Sequence, residues 1–140
     1  MDNDEGPSVA AALELLVRRG ASAREIADTV ACTWRHIDES LTPIIGPQGI
    51  AALYKRSLLV TSRSHAWLAA STAESSGHLD ATALTLALAQ RESNDAAVAG
   101  SELLETFYKL VNGLIGTSLT HRLLNFMWHI SDEYARRESP

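Results

Sequence analysis

Cysteine is nearly absent from this chain. Cys32 stands alone among 140 residues, which excludes an intrachain disulfide and any zinc site built from several cysteines. A basic excess is missing too. The formal charge is −5, whereas a nucleic-acid binder needs a cationic face to displace counterions, so no nucleic-acid partner is expected. Long apolar runs are also lacking. The stretch Ala81 to Ala89 is the longest, and Thr82 and Thr85 break it. A membrane helix needs about 20 apolar residues, so no membrane partner is expected. The opening Met1-Asp2-Asn3-Asp4-Glu5 is acidic where a secretory signal is basic. The cytoplasm is the expected location. Lysine occurs only at positions 55 and 109, against abundant Arg and Ala, a composition that suits a GC-rich bacterial genome.

What is present is an ordinary globular balance, 46% hydrophobic and 21% charged. A chain of this length is most simply one domain, able to bury roughly 70% of its unfolded surface without disulfide or metal. Hydrophobic periodicity is helical throughout, and no strand pattern competes with it. The expected fold is all-α: a single-domain helical bundle of about five to seven helices with Gly/Pro corners. A disordered acidic tail is expected over 1–7, the helical domain over 8–135, and a frayed tail over 136–140.

Local signals place the helices. One runs from Ser8 to about Arg19 and ends at Gly20. Ser22 and Glu25 have capping-box spacing for the next, whose Ile26, Val30, Trp34, Ile37 and Leu41 fall within an arc of ~80°. Pro43 is expected to stop it, and Pro47 suits the first turn of a third helix over 48–62. Ser64 suits the cap of a short helix with Trp67 and Leu68. Asp80 suits the cap of a helix over 81–91, and Asn94 that of another, along which Leu103, Leu104, Phe107, Leu110, Val111 and Leu114 share a face. A last helix carries Leu119, Leu123, Phe126, Met127, Ile130 and Tyr134.

Two corners recur: Leu41-Thr42-Pro43-Ile44-Ile45-Gly46-Pro47-Gln48-Gly49 and Asn112-Gly113-Leu114-Ile115-Gly116-Thr117-Ser118. A Leu-x-x-Arg-x-Leu run follows each, at Leu53, Arg56, Leu58 and at Leu119, Arg122, Leu124. The step from glycine to arginine is ten residues in one, Gly46 to Arg56, and six in the other, Gly116 to Arg122. That mismatch favours convergent corner chemistry over duplication. Arg56 and Arg122 sit at the margins of their apolar arcs. Each is expected to tie its helix to a neighbouring carboxylate or carbonyl, inside the fold or on a partner. Leu59 opposes the apolar face of its helix, and Leu124 and Trp128 widen the arc of the last. These mark an interface with another protein or with a second copy.

His36 lies opposite the apolar stripe of its helix, beside Asp28, Cys32, Arg35 and Glu39. The stretch His36-Ile37-Asp38-Glu39-Ser40-Leu41-Thr42-Pro43 resembles the H-box of two-component kinases. In that box a phosphoacceptor histidine precedes an acidic residue and a Leu-Arg-Thr-Pro-Leu run. The resemblance implies phosphotransfer through His36. It departs from the family in spacing: Thr42 and Pro43 follow His36 by six and seven residues rather than four and five, and Leu41 replaces the arginine. No glycine-rich ATP lid follows. The His-x-x-Lys-Gly pattern of phosphotransfer domains is absent too, since Glu39 and Ser40 occupy those places. Cys32 and His36, four apart, could reach one metal, with His121 or His129 supplying further ligands, but the expectation is no metal and no cofactor. His121, Asn125 and His129 form a second polar stripe, and His65 and His78 show no partner in the sequence.

No Gly-x-Ser-x-Gly elbow or lysine-bearing phosphate loop occurs, so no enzymatic activity is expected. The expected function is a non-enzymatic helical regulatory or adaptor module in signal transduction, as a homodimer or bound to another protein. The alternatives are a small-molecule sensor, with Trp34, Trp67, Tyr54 and Phe107 lining a pocket, and histidine phosphotransfer at His36.

Overall fold

The structure is a computed structural model that describes residues 9–68 and 82–125, with side chains from residue 12 onward. It is an all-α bundle. Among the described residues six helices follow in order: α1 (Val9–Arg18), α2 (Ala23–Ile45), α3 (Pro47–Thr61), α4 (Thr82–Ala89), α5 (Ser93–Ile115) and α6 (Thr117–Leu124). A short 3-10 turn over 66–68 follows α3, and no strand occurs among the described residues. No described helix is long and apolar enough to cross a membrane.

Several boundaries sit where local chemistry puts them. The N–H of Gly20 bonds the Val17 carbonyl at 3.0 Å and closes α1. At the start of α2, Ser22 N–H donates to Glu25 Oε1 at 2.8 Å, and Glu25 N–H donates to Ser22 Oγ at 3.1 Å. Both halves of the capping box are therefore made.

Two boundaries differ from expectation. Helix α2 continues through Pro43 to Ile45. A proline in the last turn deprives only one carbonyl, that of Glu39, and Glu39 is exposed to solvent. The cap of α5 is Glu92, extended at φ −70°, ψ 154°, rather than Asn94, which lies within the first turn.

The two halves of the chain repeat each other. Ser93 follows Ala23 by 70 residues, Ile115 follows Ile45 by 70, and both long helices have 23 residues. Each ends at a one-residue corner with nearly the same backbone: Gly46 at φ 91°, ψ 155° and Gly116 at φ 94°, ψ 157°. The buried residues of α2 are Ile26, Ala27, Thr29, Val30, Thr33, Trp34, Ile37 and Leu41. Their partners 70 residues on are Ala96, Ala97, Ala99, Gly100, Leu103, Leu104, Phe107 and Val111, all buried. Ile50 and Tyr54 correspond likewise to the buried Thr120 and Leu124. The paired corners thus belong to a structural repeat with an offset of 70 residues. The Leu-x-x-Arg-x-Leu runs are out of register with it, because at this offset Arg56 matches Phe126 and Arg122 matches Ala52.

The halves are also interlocked. Helix α1 packs on α5 of the other half, and α4 packs on α2. Helix α3 covers α5, and α6 touches α2. Each half thus closes its core only with helices of the other. Val30 meets Gly100 where the long helices pack: a Cβ on Gly100 would come within 2.9 Å of Val30 Cγ2. Four residues further along α2 and seven along α5, the Trp34 and Phe107 rings meet at 4.8 Å. The contacts advance the same way along both helices, so α2 and α5 run in the same general direction. Both corners therefore face one end of the bundle.

Candidate functional site

The outward stripe of α2 is set by the 100° step of the helix. With Trp34 and Ile37 turned into the core, His36 emerges on the opposite side and is exposed in mid-helix, as are Asp28, Arg35 and Glu39. Cys32 is half-buried on the same stripe. The equivalent of His36 in the second half is Thr106, so the imidazole is not duplicated. No three His, Cys, Asp or Glu side chains gather as metal ligands among the described residues. His121 and Asn125 are exposed near the end of α6. His78, Trp128 and His129 lie outside the described residues.

Arg56 and Arg122 are both exposed, and neither forms an ion pair or hydrogen bond among the described residues. The internal tie expected of them is therefore not made there. Leu59 is 53% exposed, and its neighbour Val60 is 36% exposed. Leu124 is fully buried in the core, at the position that corresponds to Tyr54 in the first half. Its wide apolar arc reflects an element covered by α2 as well as α5.

A polar cluster that the sequence concealed joins the end of α3 to α5. His65 Nε2 lies 3.1 Å from Glu102 Oε1, with the His65 side chain 16% exposed. The His65 ring also stands edge-on to Trp67, centroids 6.2 Å apart. The Arg91 guanidinium lies 4.9 Å from the centre of the Trp67 ring and 3.8 Å from Asp95 Oδ2. These contacts fasten the turn after α3 to the loop between α4 and α5. A cation over indole is worth about 0.5–1 kcal/mol at such a partly exposed position. His65 and Glu102 are 37 residues apart in the chain, and no local pattern announces the pair.

The aromatic residues expected to line an internal pocket divide. Trp34, Tyr54 and Phe107 meet at the centre, Trp34 edge-on to each of the others at 4.8 Å. At that spacing the rings are in contact and occupy the space between α2, α3 and α5 themselves. Trp67 sits apart, in the polar cluster. Trp34 Nε1 is buried and has no hydrogen-bond partner among the described residues. Most buried hydroxyls are satisfied on their own helix: Thr33 donates to the Thr29 carbonyl at 2.9 Å, Ser57 to Leu53 at 2.8 Å and Thr120 to Gly116 at 2.7 Å.

The remaining feature is apolar surface. Ile44 is 51% exposed and Leu114, its equivalent, 59%, so both corners present a large aliphatic side chain. Leu86 on α4 is also 59% exposed. In comparisons with known protein families, curated proteins and solved structures, no match to this chain was found.

Proposed function

We propose that this chain is a non-enzymatic helical regulatory module that acts by binding protein, as an adaptor in signal transduction. The carrying observation is the grouping of its exposed apolar residues. Scattered apolar side chains are common on any surface. Here Leu59 and Val60 are adjacent on α3, and Ile44 and Leu114 occupy equivalent corners at one end of the bundle. The central aromatic residues contact one another, which supports a role for the surface rather than for an internal ligand pocket.

Capture of the full chain from native lysate, with crosslinking and mass spectrometry, tests this reading. The comparison is a variant with Ile44→Glu, Leu59→Glu and Leu114→Glu. Crosslinked partners that disappear with the variant support it. A capture profile identical for both proteins would sink it. Sedimentation velocity reads the homodimer separately, and a monomer at high concentration removes that part.

A second reading has its own observation, the exposed mid-helix imidazole of His36. In this reading His36 accepts a phosphoryl group from a phosphorylated aspartate of a partner and passes it on. Incubation with acetyl-phosphate-charged receiver domains should then give an acid-labile phosphate that His36→Gln abolishes. Labelling that survives His36→Gln excludes it.

A further inference from the structure

The outer face of α3 carries a local excess of positive charge in an acidic protein. No Asp or Glu occurs between Glu39 and Glu74, while Lys55, Arg56 and Arg63 fall within that span. The segment carries +3, so the rest of the chain carries −8 of the net −5. Lys55 and Arg56 share the exposed side of α3 with Leu59 and Val60, and Arg63 lies in the turn that follows. At 100° per residue these five positions span an arc of about 140° and a length of about 12 Å. The opposite side, Ile50, Tyr54, Ser57, Leu58 and Thr61, is buried. All three side chains are exposed, and none of the three cations forms an ion pair or hydrogen bond among the described residues.

We infer that this face docks an acidic amphipathic helix of a partner protein, an inference that rests on the adaptor reading above. The apolar centre, Leu59 and Val60, takes the aliphatic stripe of the incoming helix. The cations around it take carboxylates from the flanks of that stripe. Arg56 and Arg63 can each hold a carboxylate through two parallel N–H bonds, and Lys55 acts as a point charge. A helix laid apolar face down is a recurring mode of recognition, and charge around its rim sets orientation and speeds encounter. Charge complementarity also selects against a basic or neutral helix.

The test places a photo-crosslinking amino acid at Leu59 in the full chain, with a second protein carrying it at Leu114. Both are irradiated in native lysate, and the crosslinked peptides are sequenced. The expected Leu59 product is a segment rich in Asp and Glu with apolar residues at helical spacing. Its yield should fall at least tenfold in R56E/R63E and as salt rises from 50 to 500 mM, with the circular-dichroism melt unchanged. A crosslink to a basic or neutral segment, to a second copy of this chain, or to lipid overturns the inference, as does a yield that R56E/R63E leaves intact. Capture at Leu114 without capture at Leu59 also overturns it, yet leaves the adaptor reading standing. Loss at both sites removes the two together.

Discussion

Val30 and Gly100 occupy the same position in the two halves and lie against each other between the long helices. Bulk on one side is matched by its absence on the other. A methyl group at Gly100 would stand 2.9 Å from Val30 Cγ2 and 3.7 Å from Leu13 Cδ1. A β-branched valine cannot swing its methyl away cheaply. Gly100→Ala should therefore destabilise the fold by about 1–3 kcal/mol, the usual cost of overpacking, despite the better helix propensity of alanine. Gly113, also helical, has open space where its Cβ would be. Gly113→Ala should stabilise by about 0.5–1 kcal/mol. Urea melts of the two variants should shift in opposite directions, and shifts of the same sign would contradict the packing at Gly100.

The corners give a paired prediction. Gly46 and Gly116 have φ of 91° and 94° with ψ near 155°, a region of backbone space that is open essentially to glycine alone. Neither would meet a neighbour through an added Cβ, so the cost of a side chain is backbone strain and not a clash. Gly46→Ala and Gly116→Ala should each cost about 1–3 kcal/mol, and nearly the same amount. Asparagine, which relieves strain at left-handed helical positions, should not rescue either site, because ψ lies far from that well. A costly Gly46→Ala beside a neutral Gly116→Ala would break the equivalence of the two corners.

Much of the fold was legible because its signals are local. The capping box at Ser22 and Glu25, the stop at Gly20, the proline at the start of α3 and the buried stripe of α2 are all short-range patterns. The structural repeat was not legible. Over 23–54 and 93–124 only Ala27/Ala97, Ile45/Ile115, Gly46/Gly116 and Leu53/Leu123 are identical. The reason is physical. Equivalent core positions hold different side chains, Trp34 answering to Leu104 and Ile37 to Phe107, while Trp34 and Phe107 pack on each other, and a core tolerates such exchanges provided that the summed volume fits. Such compensation erases identity while it preserves burial. The recurring arginine run misled for the complementary reason, since its members lie at inequivalent places. In the candidate site, Leu59 and His36 were visible from periodicity. The His65–Glu102 pair joins distant parts of the chain and leaves no periodic trace.

The repeat also predicts a transferable cap. Ser22 caps α2 with its side chain, whereas Glu92, in the same place before α5, makes no side-chain cap bond. Glu92 is already extended, and Asp95 stands where Glu25 stands in the first half. Glu92→Ser should therefore supply the missing acceptor for the Asp95 N–H and stabilise by about 0.5–1 kcal/mol. Ser22→Ala should cost about 1 kcal/mol. A destabilised Glu92→Ser protein in a thermal melt would mean that the two helix starts differ more than their backbones indicate.

Trp34 combines the largest buried side chain with an unmet donor. Its ring contacts Tyr54 and Phe107 at 4.8 Å, it is 1% exposed, and its Nε1 has no partner among the described residues. Removing the ring should be severe, and Trp34→Ala is expected to cost about 3–5 kcal/mol through lost burial and the cavity left between α2, α3 and α5. Trp34→Phe is a different experiment. It leaves a smaller void and removes the unsatisfied N–H, whose burial costs about 1–3 kcal/mol, so part of the packing loss is returned. The phenylalanine variant should lose less than half of what the alanine variant loses in the same urea titration. Equal losses would contradict an unmet donor at Nε1.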